Sequence, residues 1–249
     1  MRITYVGHST VLVELDGLRL LTDPVLRGRV LHLVRRASSV EPGVIADIGL
    51  VLVSHMHPDH FDPPSLRMID RHAELVVPRG AGRPAGRLGF RRVTELSEGE
   101  TLAAGGIEVA ATHAEHRPGR LLDKRSEAIG YTLTGSQRVY FAGDTDLFPG
   151  MGDLGANLDV ALLPVWGWGP NLGPGHLDPG KAARSLELLQ PRVAVPIHWG
   201  TLYRIGSRSS ERELATGAPQ AFAREAARIA PSVDVRVLGP GETTTVEGV

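Results

Sequence analysis

Four potential metal ligands lie within six residues of the chain, in the run His55-Met56-His57-Pro58-Asp59-His60. In a loop that follows a strand, His55 and His57 point to the same side because they are two residues apart, so they can share one metal ion. Asp59 and His60 lie just beyond and can reach a second ion. Burying several polar side chains together without partners is costly, so packing alone explains this cluster poorly. The spacing therefore predicts a metal site.

Three more ligand candidates each follow a predicted strand: His116 after residues 107–112, Asp144 after residues 138–142, and His198 after residues 193–197. The carboxyl ends of strands in α/β folds converge on one site. With the first cluster this gives seven nitrogen and oxygen ligands, which suit two divalent ions bridged by one carboxylate and holding a nucleophilic hydroxide. His113 lies close to His116, and the residues alone leave open which of the two is the ligand.

The composition excludes several other kinds of site. The 249 residues include ten histidines and no cysteine, so disulfides, thiolate nucleophiles and sulfur-ligated zinc are absent. A net charge of -1 gives no electrostatic reason to expect nucleic acid as the main partner. The N-terminus lacks a signal-peptide pattern, and no apolar run is long enough to span a membrane. We expect a soluble, cytoplasmic protein. The sequence does not decide whether it forms a homo-oligomer.

The elements that position these residues are predicted to form a layered αββα sandwich. Residues 2–22 alternate apolar and polar around Asp16-Gly17, a dipeptide that favours a hairpin turn. Strands are predicted at residues 48–54, 107–112, 138–142, 160–164, 193–197, 233–238 and 243–246. Helices are predicted at residues 63–72, 179–189 and 219–229. Strands that first meander and then alternate with helices favour a four-layer α/β sandwich over one doubly wound sheet. No segment has the composition of a linker, so we expect residues 1–249 to form one domain.

Three segments carry candidate substrate contacts. Residues 26–45 contain both arginines and apolar residues. This composition is compatible with a short amphipathic helix, with a lid over a pocket, or with a solvated loop that has a few buried apolar residues. Arg117 and Arg120 could receive a phosphate or carboxylate, or belong to a solvated charged loop. Trp166 and Trp168 stand in a Gly/Pro-rich loop at a strand end, where aromatic side chains line a pocket or anchor the loop.

The run from His55 to His60 matches the signature HxHxDH, and the chain resembles the metallo-β-lactamase superfamily. The pieces Gly7-His8-Ser9-Thr10, Thr22-Asp23-Pro24, Gly143-Asp144-Thr145 and Ile197-His198-Trp199-Gly200-Thr201 resemble one branch of it. That branch contains the ascorbate-phosphate lactonases and the N-acyl phosphatidylethanolamine-hydrolysing phospholipase D. The resemblance covers residues 3 to about 201 and implies the fold and a metal-dependent hydrolysis, but not the substrate.

The resemblance also implies roles for the ligand candidates. It places His55, His57 and His116 on a first metal, Asp59, His60 and His198 on a second, and Asp144 between the two as a bridge. In the related branch the third-histidine segment typically has the sequence Pro-Ala-Gln-His, which favours His116 over His113. Asp59 would also hold the attacking water or accept its proton.

Three further side chains gain roles from the same resemblance. Asp23 resembles the aspartate that hydrogen-bonds the metal-binding loop, although an ordinary aspartate before Pro24 is the alternative. His8 and His176 lie in segments that resemble pocket-lining stretches, and either could contact substrate or protonate the leaving group. As single histidines, both could instead be ordinary structural residues. His32 and His72 have no such context.

We therefore expect a hydrolase that cleaves an ester, lactone or phosphodiester of a small anionic molecule, with His176 serving the leaving group. A nuclease would need an extended basic surface, and a lipid phosphodiesterase an exposed apolar flap, for which residues 26–45 are the candidate. Flavodiiron redox relatives usually carry Glu at the position of His57, and the commonest β-lactamases use a cysteine that is absent here. Zinc is the expected metal, although such a ligand set also accepts manganese, iron or nickel.

Overall fold

Two large β-sheets dominate the structure, a computed structural model that describes residues 1–116 and 126–248. Numbered along the chain, the strands β1 to β17 span Arg2–Gly7, Thr10–Leu15, Leu18–Thr22, Arg29–Val30, Leu33–Arg35, Leu50–Leu52, Glu74–Pro78, Arg92–Leu96, Thr101–Ala104, Ile107–His113, Ile129–Thr134, Arg138–Phe141, Val160–Pro164, Val193–Ile197, Leu202–Arg204, Asp234–Val235 and Thr243–Thr245. The helices α1 to α4 span Pro63–Leu66, Gly82–Gly86, Pro179–Leu189 and Ser209–Ile229. Short 3₁₀ segments occur at Pro42–Val44 and Pro149–Leu154.

Each large sheet combines an antiparallel part with a parallel part. The first has the order β17-β1-β2-β3-β6-β7-β8, antiparallel as far as β3 and parallel from there to β8. The second has the order β16-β14-β13-β12-β11-β10-β9, parallel as far as β12 and antiparallel from there to β9. A small antiparallel sheet has the order β15-β5-β4. In the parallel parts, neighbouring strands end at the same edge.

The two large sheets pack face to face, and helices cover their outer faces. Successive residues of a strand point to opposite sides, so Tyr5 joins the core between the sheets with Tyr131, whereas Val6 joins a second core. That second core also contains Leu66 of α1. Helices α3 and α4 pack on the second sheet through Leu186, Phe222 and their neighbours. The predicted αββα sandwich is confirmed.

Several predicted elements differ in extent from the observed ones. The Asp16-Gly17 hairpin joins β2 to β3, and both residues have the positive φ that this turn requires, 51° and 81°. The helix predicted at residues 63–72 is a single α-helical turn. Directly after it the N–H groups of Met68 and Ile69 donate to carbonyls three residues back, and the side chain of Asp70 accepts the N–H of His72 in a separate turn. Helix α4 begins ten residues before the predicted start, and Pro219 lies inside it as a buried residue. Strands β4, β5, β7, β8, β9, β11 and β15 were not predicted.

Residues 26–45 form the β4–β5 hairpin and a 3₁₀ turn, not an amphipathic helix. The hairpin pairs with β15, and Arg27 makes a bidentate ion pair with Asp62 at the start of α1, at 2.7 and 2.9 Å. The backbone N–H of Leu26 donates to Ser65 in the same helix. Side chains on both sides of the hairpin therefore fix its position. None of the helices in residues 1–116 and 126–248 is long and apolar enough to cross a membrane.

Candidate metal centre

The ligand candidates lie in loops at one edge of the two sheets. The His55-to-His60 run follows β6, His116 follows β10, Asp144 follows β12 and His198 follows β14. Among these side chains, only His57 is more than slightly exposed. The fold thus brings together residues that are up to 143 positions apart in the sequence.

A first group of donor atoms comprises His55 Nε2, His57 Nδ1, His116 Nε2 and a carboxylate oxygen of Asp144, all within 4.8 Å of one another. His57 Nδ1 lies 2.8 Å from His55 Nε2 and 3.2 Å from His116 Nε2. Asp144 Oδ2 lies 3.9 Å from His55 Nε2. Three imidazoles and one carboxylate around a single point form a ligand set that divalent transition metals accept.

A second group comprises Asp59, His60, His198 and also His8, again within 4.8 Å. His60 Nε2 lies 3.1 Å from His198 Nε2, and Asp59 Oδ2 lies 3.8 Å from His60 Nε2 and 3.9 Å from His198 Nε2. His8 Nε2 lies 3.0 Å from Asp59 Oδ2. His8 Nε2 is the donor of this contact, because an ionised carboxylate oxygen only accepts hydrogen bonds.

Asp144 lies between the two groups. Its Oδ1 is 3.2 Å from His198 Nε2, and its Oδ2 is 3.3 Å from His60 Nε2 and 3.5 Å from His176 Nε2. Although Asp144 Oδ1 is buried, no hydrogen bond reaches it from any described residue. A buried carboxylate oxygen without a hydrogen-bond donor is costly unless a cation neutralises it.

The far nitrogens of four imidazoles are already occupied. His116 Nδ1 lies 2.8 Å from the carbonyl oxygen of Gly175, and His198 Nδ1 lies 2.6 Å from that of Trp166. His60 Nδ1 lies 2.6 Å from Asp23 Oδ2, and His55 Nδ1 lies 3.0 Å from Ser54 Oγ.

Carbonyl and carboxylate oxygens only accept, so Nδ1 of His60, His116 and His198 carries a proton. Ser54 Oγ gives its own proton to Asp23 and therefore accepts from His55 Nδ1 in the same way. The four Nε2 atoms are thereby left as the nitrogens that can offer a lone pair to a metal ion. Lone pairs that converge without donors repel one another unless a cation lies among them. The donor set therefore fits metal ions, and the outer hydrogen bonds are those that orient metal-bound histidines.

Asp23 is the residue that orients the histidine run. Its Oδ1 accepts the backbone N–H of Ser54 at 2.7 Å, and its Oδ2 accepts the hydroxyl of Ser54 at 2.6 Å besides facing His60. Gly143 packs against the same serine, because a Cβ built at Gly143 would lie 2.6 Å from Ser54 Cβ, and Gly143 has φ 61°. Only glycine fits that backbone and that contact without strain.

Three residues of the centre have left-handed backbone conformations: His8 at φ 58°, Asp23 at φ 34° and His198 at φ 63°. Non-glycine residues in this region cost on the order of 1–3 kcal/mol each and persist only where the surroundings fix them. The surroundings do so here: His8 N–H donates to Thr201 Oγ1 at 2.9 Å, and the His8 carbonyl accepts the N–H of His198 at 2.7 Å.

Burial sets the charge of most of these histidines. It lowers the pKa of His55 well below its ordinary value, that of His57 to about 4 and that of His198 to about 3. The pKa of His116 is lowered for the same reason. Their neutral forms, which bind metals, therefore predominate at neutral pH.

The pKa values of His60, Asp59 and Asp144 are set mainly by the charges that these residues and their neighbours exert on one another. Burial lowers the pKa of His60, but the carboxylates of Asp144, Asp23 and Asp59 outweigh it and raise that pKa well above its usual range. A metal ion at His60 would therefore take the place of the Nε2 proton, and its binding would release that proton. Burial raises the pKa of Asp59 and Asp144, but the neighbouring imidazoles outweigh it and hold both pKa values well below the usual range. Both carboxylates are therefore ionised, as ligands must be.

A cavity of about 280 Å³ opens onto the centre. Its floor includes His57, Asp59, Asp144 and His198. Among the described residues, its walls are formed by the β4–β5 hairpin, from Val30 to Leu33, and by the loop of residues 167–176 with Trp168 and His176. A substrate in this cavity would lie directly against the ligand candidates.

The sequence profile of the β-lactamase superfamily domain matches residues 18–199, more than half of the chain. The chain belongs to the β-lactamase superfamily. The UPF0173 metal-dependent hydrolase of Methanopyrus kandleri is 33% identical over 250 residues, which cover 98% of this chain and 99% of that protein. The metallo hydrolase Igni18 of Ignicoccus hospitalis superimposes with a TM-score of 0.77 at 26% identity, covering 99% of this chain and 98% of that one.

The diiron β-hydroxylase CmlA of Streptomyces venezuelae shares the fold, with a TM-score of 0.75 at 21% identity over 98% of this chain and 54% of that one. Together the relatives identify a metal-dependent hydrolase of the metallo-β-lactamase fold.

Within this hydrolase the two candidates for the third histidine lie in different places. His116 joins the first group of donors, whereas His113 lies outside it and its Nδ1 is 2.8 Å from Glu98 Oε2. Sequence spacing could not separate them because they are only three residues apart. The strand β10 ends at His113, and the turn that follows directs His116 inward.

The predicted substrate residues fall in different places. Trp168 and His176 line the cavity, and Trp168 Nε1 donates to Asp59 Oδ2 at 2.9 Å. Trp166 does not line it: its side chain packs against the main core, and its carbonyl oxygen holds His198. His8 is buried beside Asp59 and does not line it either. Arg117 and Arg120 lie outside the described residues.

Two residues of the site had no sequence signal. His32 lines the cavity and packs edge-on against Trp168, with ring centroids 5.3 Å apart. Ser54 links Asp23 to His55. Ser54 precedes the HxHxDH run directly, so a search for hydroxyls at the end of the strand before that run could have found it.

Proposed function

We propose that this hydrolase uses two divalent metal ions, expected to be zinc, to cleave an ester, lactone or phosphodiester bond of a small anionic substrate. The observation that carries the proposal is the position of Asp144 between two groups of converging lone pairs, 3.2 Å from His198 and 3.9 Å from His55. One carboxylate that faces both groups is the arrangement that a bridged pair of ions requires.

His55, His57 and His116 would hold the first ion, and Asp59, His60 and His198 the second, with Asp144 shared. When bound, such ions lower the pKa of a water molecule and stabilise negative charge on the oxygen of the substrate. The protein holds the two groups in place through the outer hydrogen bonds that His60, His116 and His198 donate to Asp23, Gly175 and Trp166.

Asp59 is held by two donors of the chain. Trp168 Nε1 lies 2.9 Å and His8 Nε2 lies 3.0 Å from the same oxygen, Oδ2. These contacts fix the plane of the carboxylate at the floor of the cavity. We propose that Asp59 also accepts the proton of the attacking water, since it is an ionised base that the cavity reaches.

His176 is our candidate for the acid that protonates the leaving group. It lines the cavity with a quarter of its side chain exposed, and its Nδ1 lies 3.1 Å from the carbonyl oxygen of Gly173. Because Nδ1 donates to that carbonyl, loss of the Nε2 proton to a leaving group returns the ring to a neutral form that keeps this hydrogen bond. Burial lowers the pKa of His176, but Asp144 outweighs it and raises the pKa, which favours the protonated form.

The substrate class is constrained by size. A cavity of about 280 Å³ lies at the lower end of ordinary ligand pockets, so a small molecule is favoured over a polymer. The anionic character of the substrate is supported by Arg117 and Arg120 in the sequence and by the positive charge that metal ions would bring.

The test is a hydrolysis panel of lactones, phosphodiesters, acyl thioesters and β-lactams on protein loaded separately with zinc, manganese, iron or nickel. We expect about two equivalents of bound metal and hydrolysis of at least one class. Asp144→Ala should lower both the metal content and the activity, the latter at least about 100-fold. Asp153→Ala, a change at an exposed aspartate, is the control and should alter neither. Full activity in Asp144→Ala would refute the two-metal proposal.

A further inference from the structure

The described walls of the active-site cavity are mainly apolar. Val30, Leu31 and Leu33 come from the β4–β5 hairpin, and Trp168 and Leu172 face them from the opposite loop. Among the described residues that line the cavity there is no lysine or arginine, and Asn171 and His32 are the polar side chains that lie apart from the metal centre and His176. A wall of this composition binds an apolar group and gives an anionic group no partner.

Trp168 makes the two walls a single surface. It packs against the small apolar cluster that contains Val30 and Leu33, and its ring meets the edge of His32. The N–H of the same ring donates to Asp59. One face of the cavity is thus continuous from the hairpin to the floor, so an apolar group held there would lie next to the reacting bond.

Leu31 occupies a conformation that its residue type does not favour. It is the first residue of the turn between β4 and β5, with φ 48°, where glycine, asparagine or aspartate would be less strained. It is also 60% exposed at the mouth of the cavity. Neither folding nor turn formation favours an exposed leucine at this backbone position. Contact with an apolar ligand would account for both features.

We propose that the substrate carries an uncharged apolar group, alkyl or aryl, beside its scissile bond, and that Leu31 and the opposite loop bind this group. The inference rests on the proposed hydrolase function and specifies its substrate class. Any anionic group of the same substrate must then be bound away from these walls. Leu31 is the specificity residue, because it is the apolar wall residue most open to an incoming ligand.

A binding experiment tests the wall independently of catalysis. Metal-free protein is titrated with 1-butanol, 1-pentanol, 1-hexanol and, as the polar counterpart, 1,2,6-hexanetriol, and binding is followed by tryptophan fluorescence and NMR shifts. We expect affinity to rise with chain length by up to about fourfold per methylene, the value for full burial, and the triol to bind more weakly than 1-hexanol. Leu31→Asn should flatten this dependence. Asparagine tolerates positive φ, so the variant should fold with an unchanged or higher Tm.

The matched control is Leu188→Asn, which changes an equally apolar, 44% exposed side chain on α3. It should leave the chain-length dependence as in the wild type. The proposal is overturned if affinity does not depend on chain length, if the triol binds as tightly as 1-hexanol, or if Leu31→Asn behaves like Leu188→Asn.

A catalytic experiment separates this inference from the proposed function. Metal-loaded protein is assayed by proton release on γ-lactones whose alkyl substituent grows from methyl to pentyl. We expect kcat/KM to rise at least about tenfold over the series and Leu31→Asn to lose most of that increase. If kcat/KM does not depend on the length of the substituent, the apolar-group proposal is overturned, but the proposed hydrolase function is not. No hydrolysis of any ester, lactone or phosphodiester overturns the function, while the alcohol titration still decides the inference.

Discussion

Replacing Asp23 by asparagine should weaken the binding of one metal ion by moving a single proton on His60. In the wild-type protein Asp23 Oδ2 lies 2.6 Å from His60 Nδ1, and Oδ1 accepts the backbone N–H of Ser54 at 2.7 Å. In Asp23→Asn the carbonyl oxygen keeps the Ser54 N–H, so the amide nitrogen faces His60. That nitrogen can only donate, and neutral His60 must then carry its proton on Nε2, where its metal-binding lone pair was.

The size of the effect follows from the hydrogen bond that is lost. A hydrogen bond to a charged group contributes about 1.5–3 kcal/mol, and 1.4 kcal/mol corresponds to about tenfold in an equilibrium constant. We therefore expect the affinity for the ion at His60 and His198 to fall about 10- to 100-fold, as for other outer-sphere partners of metal-bound histidines. The ion at His55, His57 and His116 should be retained more tightly, since Asp23 reaches only His55 of these three, and does so through Ser54.

The assay is a titration of metal-free protein against a competing chelator, with long-range proton–nitrogen NMR to identify the protonated nitrogen of His60. Asp159→Asn is the control: that carboxylate also accepts two hydrogen bonds, from Arg138 N–H and Arg192 Nη1, each at 2.7 Å, but it lies at the other end of β13. Wild-type affinity in Asp23→Asn, or a loss of affinity with the Nδ1 proton still in place, would refute the argument.

Three further experiments test other parts of the structure. His116→Ala should remove about one equivalent of metal while His113→Ala leaves the metal content unchanged, and the opposite result would reverse the ligand assignment. Gly143→Ala forces a Cβ into the serine contact described above and should lower the free energy of unfolding by about 1–3 kcal/mol in urea titrations; wild-type stability would contradict that packing. Asp16→Asn removes a carboxylate whose pKa is lowered by hydrogen bonds from the side chain and backbone of Ser136. The wild type should therefore be more stable than this variant above about pH 4, with the difference lost as the pH falls further, and a difference independent of pH would show that the charge is not involved.

The sequence predicted those features that depend on neighbours in the chain. The HxHxDH run could be recognised because His55 and His57 reach one point from a single loop, whatever the rest of the fold does. The Asp16-Gly17 turn was predictable for the same reason, since both residues adopt positive φ locally. Aliphatic strands such as β13 and β14 were predicted with their correct bounds because both of their faces are buried and their sequences are continuously apolar.

Features that depend on distant partners were missed. Strand β8, Arg92–Leu96, is mostly half-buried or exposed and carries charged residues, so it has little strand pattern of its own and is stabilised by pairing with β7. Strand β11 lies in the antiparallel part of the second sheet between β10 and β12 and was not predicted from the sequence. In α4, Pro219 suggested a helix start, but the helix continues through it because α4 packs along α3.

The candidate site shows the same division. The residue types of the ligands could be predicted, but the proton positions that make them ligands are set by the carbonyl oxygens of Gly175 and Trp166 and by Asp23, none of them next to its histidine in the sequence. His32 carried no signal because its role depends on a turn that places it beside Trp168. A metal motif in a sequence thus identifies the donors, whereas tertiary hydrogen bonds decide which nitrogen of each imidazole is available.

The segment of residues 26–45 shows how the fold limits substrate choice. The sequence left a lid and a solvated excursion open, and the structure makes the segment a wall with several anchors: Arg27 pairs with Asp62, β5 pairs with β15, and Arg35 donates to the carbonyl oxygen of Val6. A hairpin held at both ends this way resists rigid-body movement, because opening it would break these bonds together. Specificity should therefore change through the side chains at its tip, Leu31 above all, and substitutions there should alter which substrates react while the metal centre beneath stays intact.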